Sequence, residues 1–156
     1  MPTQSWIRNL FTRRFSPPIR KKPFRGQLAL EALEDRMVPS FTVTNLLDDG
    51  SVGSLRWAVG QANSTGGDQT IDFDPTVFAT PQMITLSGTQ LELTDTTGTE
   101  TITGPAAGVT VDGGGLSRVF QVDGLVTASI SGLTISGGNA GYYNGGGLFN
   151  SGTLTA

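Results

Sequence analysis

What most limits the fold of this chain is a run of very short apolar pieces cut apart by glycine. Between residues 100 and 155 it reads "ETITG", "VTVDGG", "RVFQVDG", "SISG", "LTISGG", "GGLFN" and "GTLT". Each piece alternates apolar and polar side chains as a half-buried strand does, but is too short to stand as an independent hairpin. The pieces also recur. Ile102 of "ITG" returns as Ile130 of "ISG", Val109 of "VTVDGG" as Leu133 of "LTISGG", and Val119 of "VFQ" as Leu148 of "LFN", at spacings of 28, 24 and 29 residues. A repeat of roughly 20–30 residues that holds three short strands marks a solenoid.

A parallel β-helix explains the same stretch physically. Successive coils hydrogen-bond about 4.8 Å apart, so like residues stack on like. The expected inward ladders are Val109 and Val111 beneath Leu133 and Ile135, and Phe120 beneath Phe149. Corners at "DGGG", "SGGN" and "NSG" need positive φ, which accounts for part of the 22 glycines. Upstream, "TIDFD", "MITLSG" and "LELTD" read the same way, so residues 70–156 supply about three or four coils. "FTVTNLLDDG" alternates Phe41 and Val43 with Thr42 and Thr44 and ends in a turn. "GSLRWAVGQANSTGG" differs in kind. Ser54 suits an N-cap, and Leu55, Ala58, Val59 and Ala62 fall on one helical face, with Gly60 costing about 1 kcal/mol. A lone amphipathic helix amid strands must hide its apolar stripe, and covering the open end of the stack does so.

Charge divides the chain. Residues 1–37 carry eight of the ten basic side chains and three acids, whereas residues 38–156 carry Arg56 and Arg118 against ten acids. The leader, "SWIRNLFTRRFSPPIRKKPFRG", has no sustained apolar period and is broken by Pro17, Pro18 and Pro23, so disorder or a short frayed helix near Trp6–Phe11 is expected. It lacks the apolar stretch of about 7–15 residues that a signal peptide needs, and "TRRF" is not followed by the apolar segment of a twin-arginine signal. With no folded basic face behind the arm, nucleic acid is not an expected partner. Leu30, Leu33 and Met37 outline a short amphipathic helix that stops at Pro39, with Glu31, Glu34 and Asp35 as surface charge. The expected organisation is a basic leader over 1–39 and a β-helical body over 40–156, cut short at its C-terminus.

Two stretches resemble known families. "LALEALEDRMVPSFTVTN" is similar to the Leu-Glu-x-Leu-Glu-x-Arg type motif at the start of large bacterial cell-surface proteins, where it follows an Arg-rich leader and precedes an extracellular repeat region. The body resembles the right-handed parallel β-helix repeat proteins of bacterial surfaces. "GSLRWAVGQAN" matches their entry motif at Ser54, Leu55, Arg56, Ala58, Ala62 and Asn63, with Val59 in place of the usual Ile. "SGGNA" with "GGGLFNSGTLT" resembles, in loose form, the repeat of polymorphic outer-membrane proteins and related adhesins. The resemblance implies an all-β, right-handed parallel β-helix with a short N-terminal capping helix, exported to the cell surface or beyond.

Chemistry is harder to find. Without cysteine there are no disulfides or thiolate metal sites; without histidine the usual general base, the Ser-His triads and histidine-bound metals are gone. A polysaccharide lyase needs an activated base, usually with acids gathered about calcium. Arg118, near Asp112 and Asp123, is the single arrangement that could mimic one, yet Asp112 stands in "VDGG", where Asp before Gly is turn chemistry. Arg56 belongs to the helix and reads as structural. Asp72 and Asp74 of "DFD" share one side of a strand, a spacing that glycosidases and calcium sites use, but strand-end acids are more often solvated. Asp48 and Asp49 read as a turn. "GGGL" lacks the lysine of a phosphate loop, and Tyr142 with Tyr143 is a loop pair that could stack on a sugar. No catalytic, cofactor-binding or metal-ligating residue is therefore assigned. The expected function is a non-catalytic secreted or cell-surface β-helix of structural or adhesive role. Its expected partners are surface glycans, other cell-surface proteins and further coils of its own chain. The alternative is the N-terminal part of an extracellular polysaccharide lyase or hydrolase.

Overall fold

The computed structural model describes residues 38–156. The basic leader, the helix expected over Leu30–Met37, its acids and the leader motif lie outside the described residues. Eleven strands and one helix follow in order: β1 (Ser40–Val43), α1 (Leu55–Thr65), β2 (Gln69–Phe73), β3 (Gln82–Thr85), β4 (Leu91–Leu93), β5 (Thr99–Thr103), β6 (Val109–Asp112), β7 (Phe120–Val122), β8 (Thr127–Ser131), β9 (Leu133–Ser136), β10 (Leu148–Asn150) and β11 (Thr153–Thr155). Each of the ten short pieces downstream of residue 69 forms a strand.

Every strand pair is parallel. The first sheet runs β1-β2-β5-β8-β11, the second β3-β6-β9 and the third β4-β7-β10. The chain visits the three sheets in rotation and returns to the first sheet one strand further on, giving a solenoid of about four turns. Between β1 and β2 the rotation differs. There α1 stands where each later turn places one strand in each of the other two sheets.

The interior is built from ladders of like residues. Phe41, Ile71, Ile102 and Ile130 stack in the first sheet. Ile84, Val111 and Ile135 stack in the second, with Val109 beside Leu133. Leu91, Phe120 and Leu148 stack in the third, next to Leu93 and Val122. Ile102, Val111 and Phe120 in the middle rungs are fully buried, and such side chains contribute roughly 1.5–3 kcal/mol each relative to exposure. Where corners of two turns meet, backbone touches backbone. A Cβ on Gly104 would lie 2.0 Å from the Gly132 carbonyl oxygen, so only glycine fits between β5 and β8 there.

The ladders of Val109/Leu133 and Val111/Ile135 stand as the sequence pattern predicts. The Phe120/Phe149 ladder does not. Phe120 pairs with Leu148, and Phe149 pairs with Gln121. The alternation breaks at the corner before β7, where Val119 and Phe120 are both fully buried. Val119 donates its N–H toward the carbonyls of Gly146 and Gly147, and Phe120 donates to that of Gly147, so the glycines lie opposite the corner and Leu148 opens the strand. A one-residue slip sends a side chain to the other face, and Phe149 points outward.

The helix follows its sequence signals. The Ser54 hydroxyl accepts from the Trp57 N–H at 3.1 Å, and Gly66 at φ 73° ends the helix. Leu55, Ala58, Val59 and Ala62 are all buried, packed with β1, β2 and β4. Trp57 meets Phe41 edge to face at 6.2 Å. At the helix end the Asn63 amide donates to the Glu92 carbonyl at 2.8 Å and accepts from the Thr94 N–H at 2.7 Å, tying α1 to the end of β4.

The register generates a paired prediction. Phe120→Ala removes a fully buried rung and lowers stability by about 3–5 kcal/mol. Phe149→Ala, on the outer face, lowers it by less than about 1 kcal/mol. Urea unfolding of both variants measures the difference, and equal losses would refute the assigned register.

Candidate functional site

The third sheet carries the densest polar chemistry on the surface. Its outward positions line up across the turns as Glu92, Gln121 and Phe149. Gln90 and Arg118 join them from the corners before β4 and β7, and Asp123 follows β7. These groups bond in series. Gln90 Nε2 donates to Glu92 Oε1 at 2.6 Å and to Gln121 Oε1 at 2.9 Å, and Gln121 Nε2 donates to Asp123 Oδ1 at 2.7 Å. Arg118 Nη1 donates to Gln90 Oε1 and Gln121 Oε1, each at 3.3 Å, and Arg118 Nε donates to the Asn144 carbonyl at 3.1 Å. Its guanidinium lies 4.8 Å from the centre of the Phe149 ring and 6.0 Å from that of Tyr143, both within cation–π range. Polarisation therefore runs from the cation through two amides to two carboxylates, an arrangement in which each bond strengthens the next.

Beside this face an open cleft of about 580 Å³ runs between α1 and β4, lined by Arg56, Gly60, Asn63, Thr89, Gln90 and Glu92 among others. Its size falls within the range of small-molecule sites. Arg56 is closed into structure here. Its Nε and Nη2 grip Asp48 Oδ1 and Oδ2 at 2.9 and 3.0 Å, while Nη2 and Nη1 donate to the carbonyls of Thr89 and Gln90 at 2.7 and 3.0 Å. Asp48 Oδ2 also accepts from the Ser87 N–H at 2.7 Å and hydroxyl at 2.9 Å. The fork joins the loop before α1, the helix itself and the corner before β4. Reading Asp48 as a turn residue missed this role; the signal was the lone Arg56, which needs an anion once its helix is packed.

The other sequence candidates are dispersed. Asp112 accepts from the Gly114 N–H at 2.7 Å and the Ser136 hydroxyl at 2.6 Å, and its carboxyl is held below the usual range by the Ser136 hydroxyl first and the Gly114 N–H second. Asp123 reaches Gln121, so Arg118 joins no ion pair with either acid. Asp72 Oδ2 accepts from the Ser40 hydroxyl at 2.9 Å. Asp74 caps its own turn, accepting from the Thr76 hydroxyl and the N–H groups of Thr76 and Val77, which lower its carboxyl in that direction. The structure thus gives the "DFD" acids separate partners. Asp49 accepts from the Ser51 N–H within its turn. "GGGL" is a corner: a Cβ on Gly138 would lie 2.1 Å from the Gly146 carbonyl oxygen at the other end of the same β9–β10 connection. Tyr142 and Tyr143 are 106% and 79% exposed, which leaves both rings open to solvent at the edge of the third-sheet face. Among the described residues no three acids gather as a metal-binding group.

Gln90 and Gln121 escaped sequence reasoning because amides in a corner or a strand carry no spacing signature. Their alignment appears only once the turns are stacked. Fold and site together define a parallel β-solenoid with one short helix and a cross-turn polar and aromatic face. The chain matches no protein-family model, no curated protein and no solved structure.

The clamp supplies a test. Asp48 is almost fully covered, with its side chain 3% exposed, so Arg56→Ala strands a buried carboxylate and lowers stability by about 3–5 kcal/mol. Arg56→Lys, which cannot form the two-pronged contact, restores only part of that. A loss below about 1 kcal/mol for the alanine variant in urea unfolding would show that the clamp does not hold the helix.

Proposed function

We propose that this chain is a non-catalytic, secreted or cell-surface β-solenoid that displays an elongated wall and holds surface glycans on its third-sheet face. The observation that carries the reading is the aligned row of Gln90, Gln121, Glu92 and Asp123 beside Arg118, Phe149 and the exposed Tyr143. Sugars present vicinal hydroxyls that planar amides and carboxylates bind in pairs, and C–H faces that aromatic rings cover. The row crosses three turns of the coil at Glu92, Gln121 and Phe149, so it suits a chain-like ligand lying along the stack. Both cations of the body are engaged by neighbours, and Asp72, Asp74, Asp112 and Asp123 have separate partners, which favours binding over turnover.

In this reading the coil winds right-handed, as parallel crossovers do in nearly all sheets. The α1 helix closes the first turn, shielding apolar rungs that would otherwise face water. The basic leader over 1–39 serves export, and the body works outside the cell.

The test is retention on immobilised polysaccharides, neutral and uronate, combined with an assay for new reducing ends or unsaturated products. Expected are saturable retention, no product, and at least about a tenfold weakening in Tyr143→Ala and Gln121→Ala, equivalent to about 1.4 kcal/mol. Retention unaffected by both variants would move the site elsewhere. Accumulating product would replace the display reading with that of a polysaccharide-degrading enzyme.

A further inference from the structure

One corner of the interior is polar where the rest is apolar. On the inward face of the first sheet Gln69 of β2 pairs with Glu100 of β5, which pairs with Ala128 of β8. Asp95, in the corner before β5, also points inward. Gln69, Asp95 and Glu100 are 1%, 6% and 0% exposed. Each keeps one oxygen with no hydrogen-bond partner: Gln69 Oε1, Asp95 Oδ2 and Glu100 Oε2. Their other polar atoms are used. Glu100 Oε1 accepts from the Asp95 N–H at 2.9 Å, Gln69 Nε2 donates to the Gly66 carbonyl at 2.7 Å, and Asp95 Oδ1 accepts from the N–H and hydroxyl of Thr97.

Three orphan acceptors in one buried corner lack a protein donor among the described residues. Two ionised carboxylates there would each lose hydration worth several kcal/mol, replaced at only one oxygen apiece. Among the described residues the groups nearby offer no cation. Asp68, next to Gln69, accepts from the Thr99 N–H at 3.0 Å, Ala128 is apolar, and the body's two arginines are bound to Asp48 and to the third-sheet amides. A calcium ion takes about six to eight oxygens, more than the three free here. A proton supplies one donor and removes one charge.

We propose that this corner is a built proton site: Glu100 is protonated in the folded chain in mildly acidic surroundings, its Oε2–H donating to the Asp95 or Gln69 oxygen, and losing that proton loosens the seat of α1. The link to the helix is covalent and short. Gly66 ends α1, Gly67 donates to the Thr97 hydroxyl at 2.7 Å, and Asn63 holds Glu92 and Thr94. Burial pushes the Glu100 carboxyl up from its ordinary 4.5 to about 7; the Asp95 N–H opposes this and the Asp95 charge adds to it. Because the folded chain keeps a proton that the unfolded chain has shed, stability is full below about pH 4.5 and declines as pH rises to about 7. Asp74 and Asp112, whose carboxyls are lowered from 3.8, act only below that window.

The experiment is thermal and urea unfolding of the full chain from about pH 4.5 to about pH 8 in chelator, with infrared spectra of the carboxyl region. Expected is a fall in the folding equilibrium constant of up to about tenfold per pH unit, flattened in Glu100→Gln, which is the more stable protein at the alkaline end. In Asp95→Asn the fall ends at lower pH. Wild type should show a protonated-carboxyl band at about pH 5.5 that fades towards neutrality. This band requires no variant to fold. Absence of the band, an undiminished pH dependence in Glu100→Gln, or stability restored at alkaline pH by added calcium would each overturn the proposal.

Discussion

Everything in this molecule depends on parallel strands from successive turns sharing hydrogen bonds in fixed register. Once Ile102 lies beside Ile130 and Val111 beside Ile135, each residue's neighbour in space is its counterpart one turn away. Burial is then a property of the stack rather than of any single strand. The middle rungs show this, with Ile102, Val111 and Phe120 fully covered between strands on both sides. The same inward positions in the last turn, Leu133, Ile135, Leu148 and Leu154, remain only partly buried, because one neighbour is missing. A coil of this kind gains its dryness two turns at a time, and strands of three to five residues become stable only through that sharing.

The same register writes the outer surface. Alternation in a strand puts Glu92, Gln121 and Phe149 outside as surely as it puts Leu91, Phe120 and Leu148 inside. Outward side chains that recur every turn form rows, and rows of amides bond to one another across turns. The third-sheet network is therefore a product of stacking, held in place by the interior it covers. Arg118 illustrates the economy of this arrangement: its charge is shared between two glutamines of different turns and an aromatic ring of a third.

Much of this was legible in the residues. Short pieces, glycine corners and spacings near 28 and 24 located the strands, and the Ser54 cap with its four apolar partners located α1. The failures have physical causes. The likeness of "VFQ" and "LFN" predicts Phe149 inside, whereas the corner at Val119 takes two inward residues in succession and shifts the pairing by one. Glu100 looked like an ordinary strand residue, since nothing in "ETITG" says which face a given residue takes until its neighbour is known. Gln69 and Ala128 settle it, one polar and one small, leaving room for a carboxyl inside. Asp48 was hidden by distance: its contacts with Ser87 span 39 residues and exist only because the first turn brings them together.

The helix shows why such long-range polar ties matter. An 11-residue helix with a glycine in its middle has little stability of its own. Its apolar face supplies the attraction, but apolar contact is non-directional and would permit several seatings on a smooth interior. The polar ties remove that freedom. Asp48 and Arg56 fix the first turn of α1 against the corner before β4, while Asn63 fixes its last turn against the end of the same strand. Beyond Asn63 the chain passes straight into the buried corner of Gln69, Asp95 and Glu100. One end of the helix is thus held by a satisfied ion pair and the other leads into a set of unsatisfied acceptors. In the proposal above the second depends on a single proton on Glu100, so loosening of the helix seat starts at the C-terminal end of α1, the end that leads into that corner.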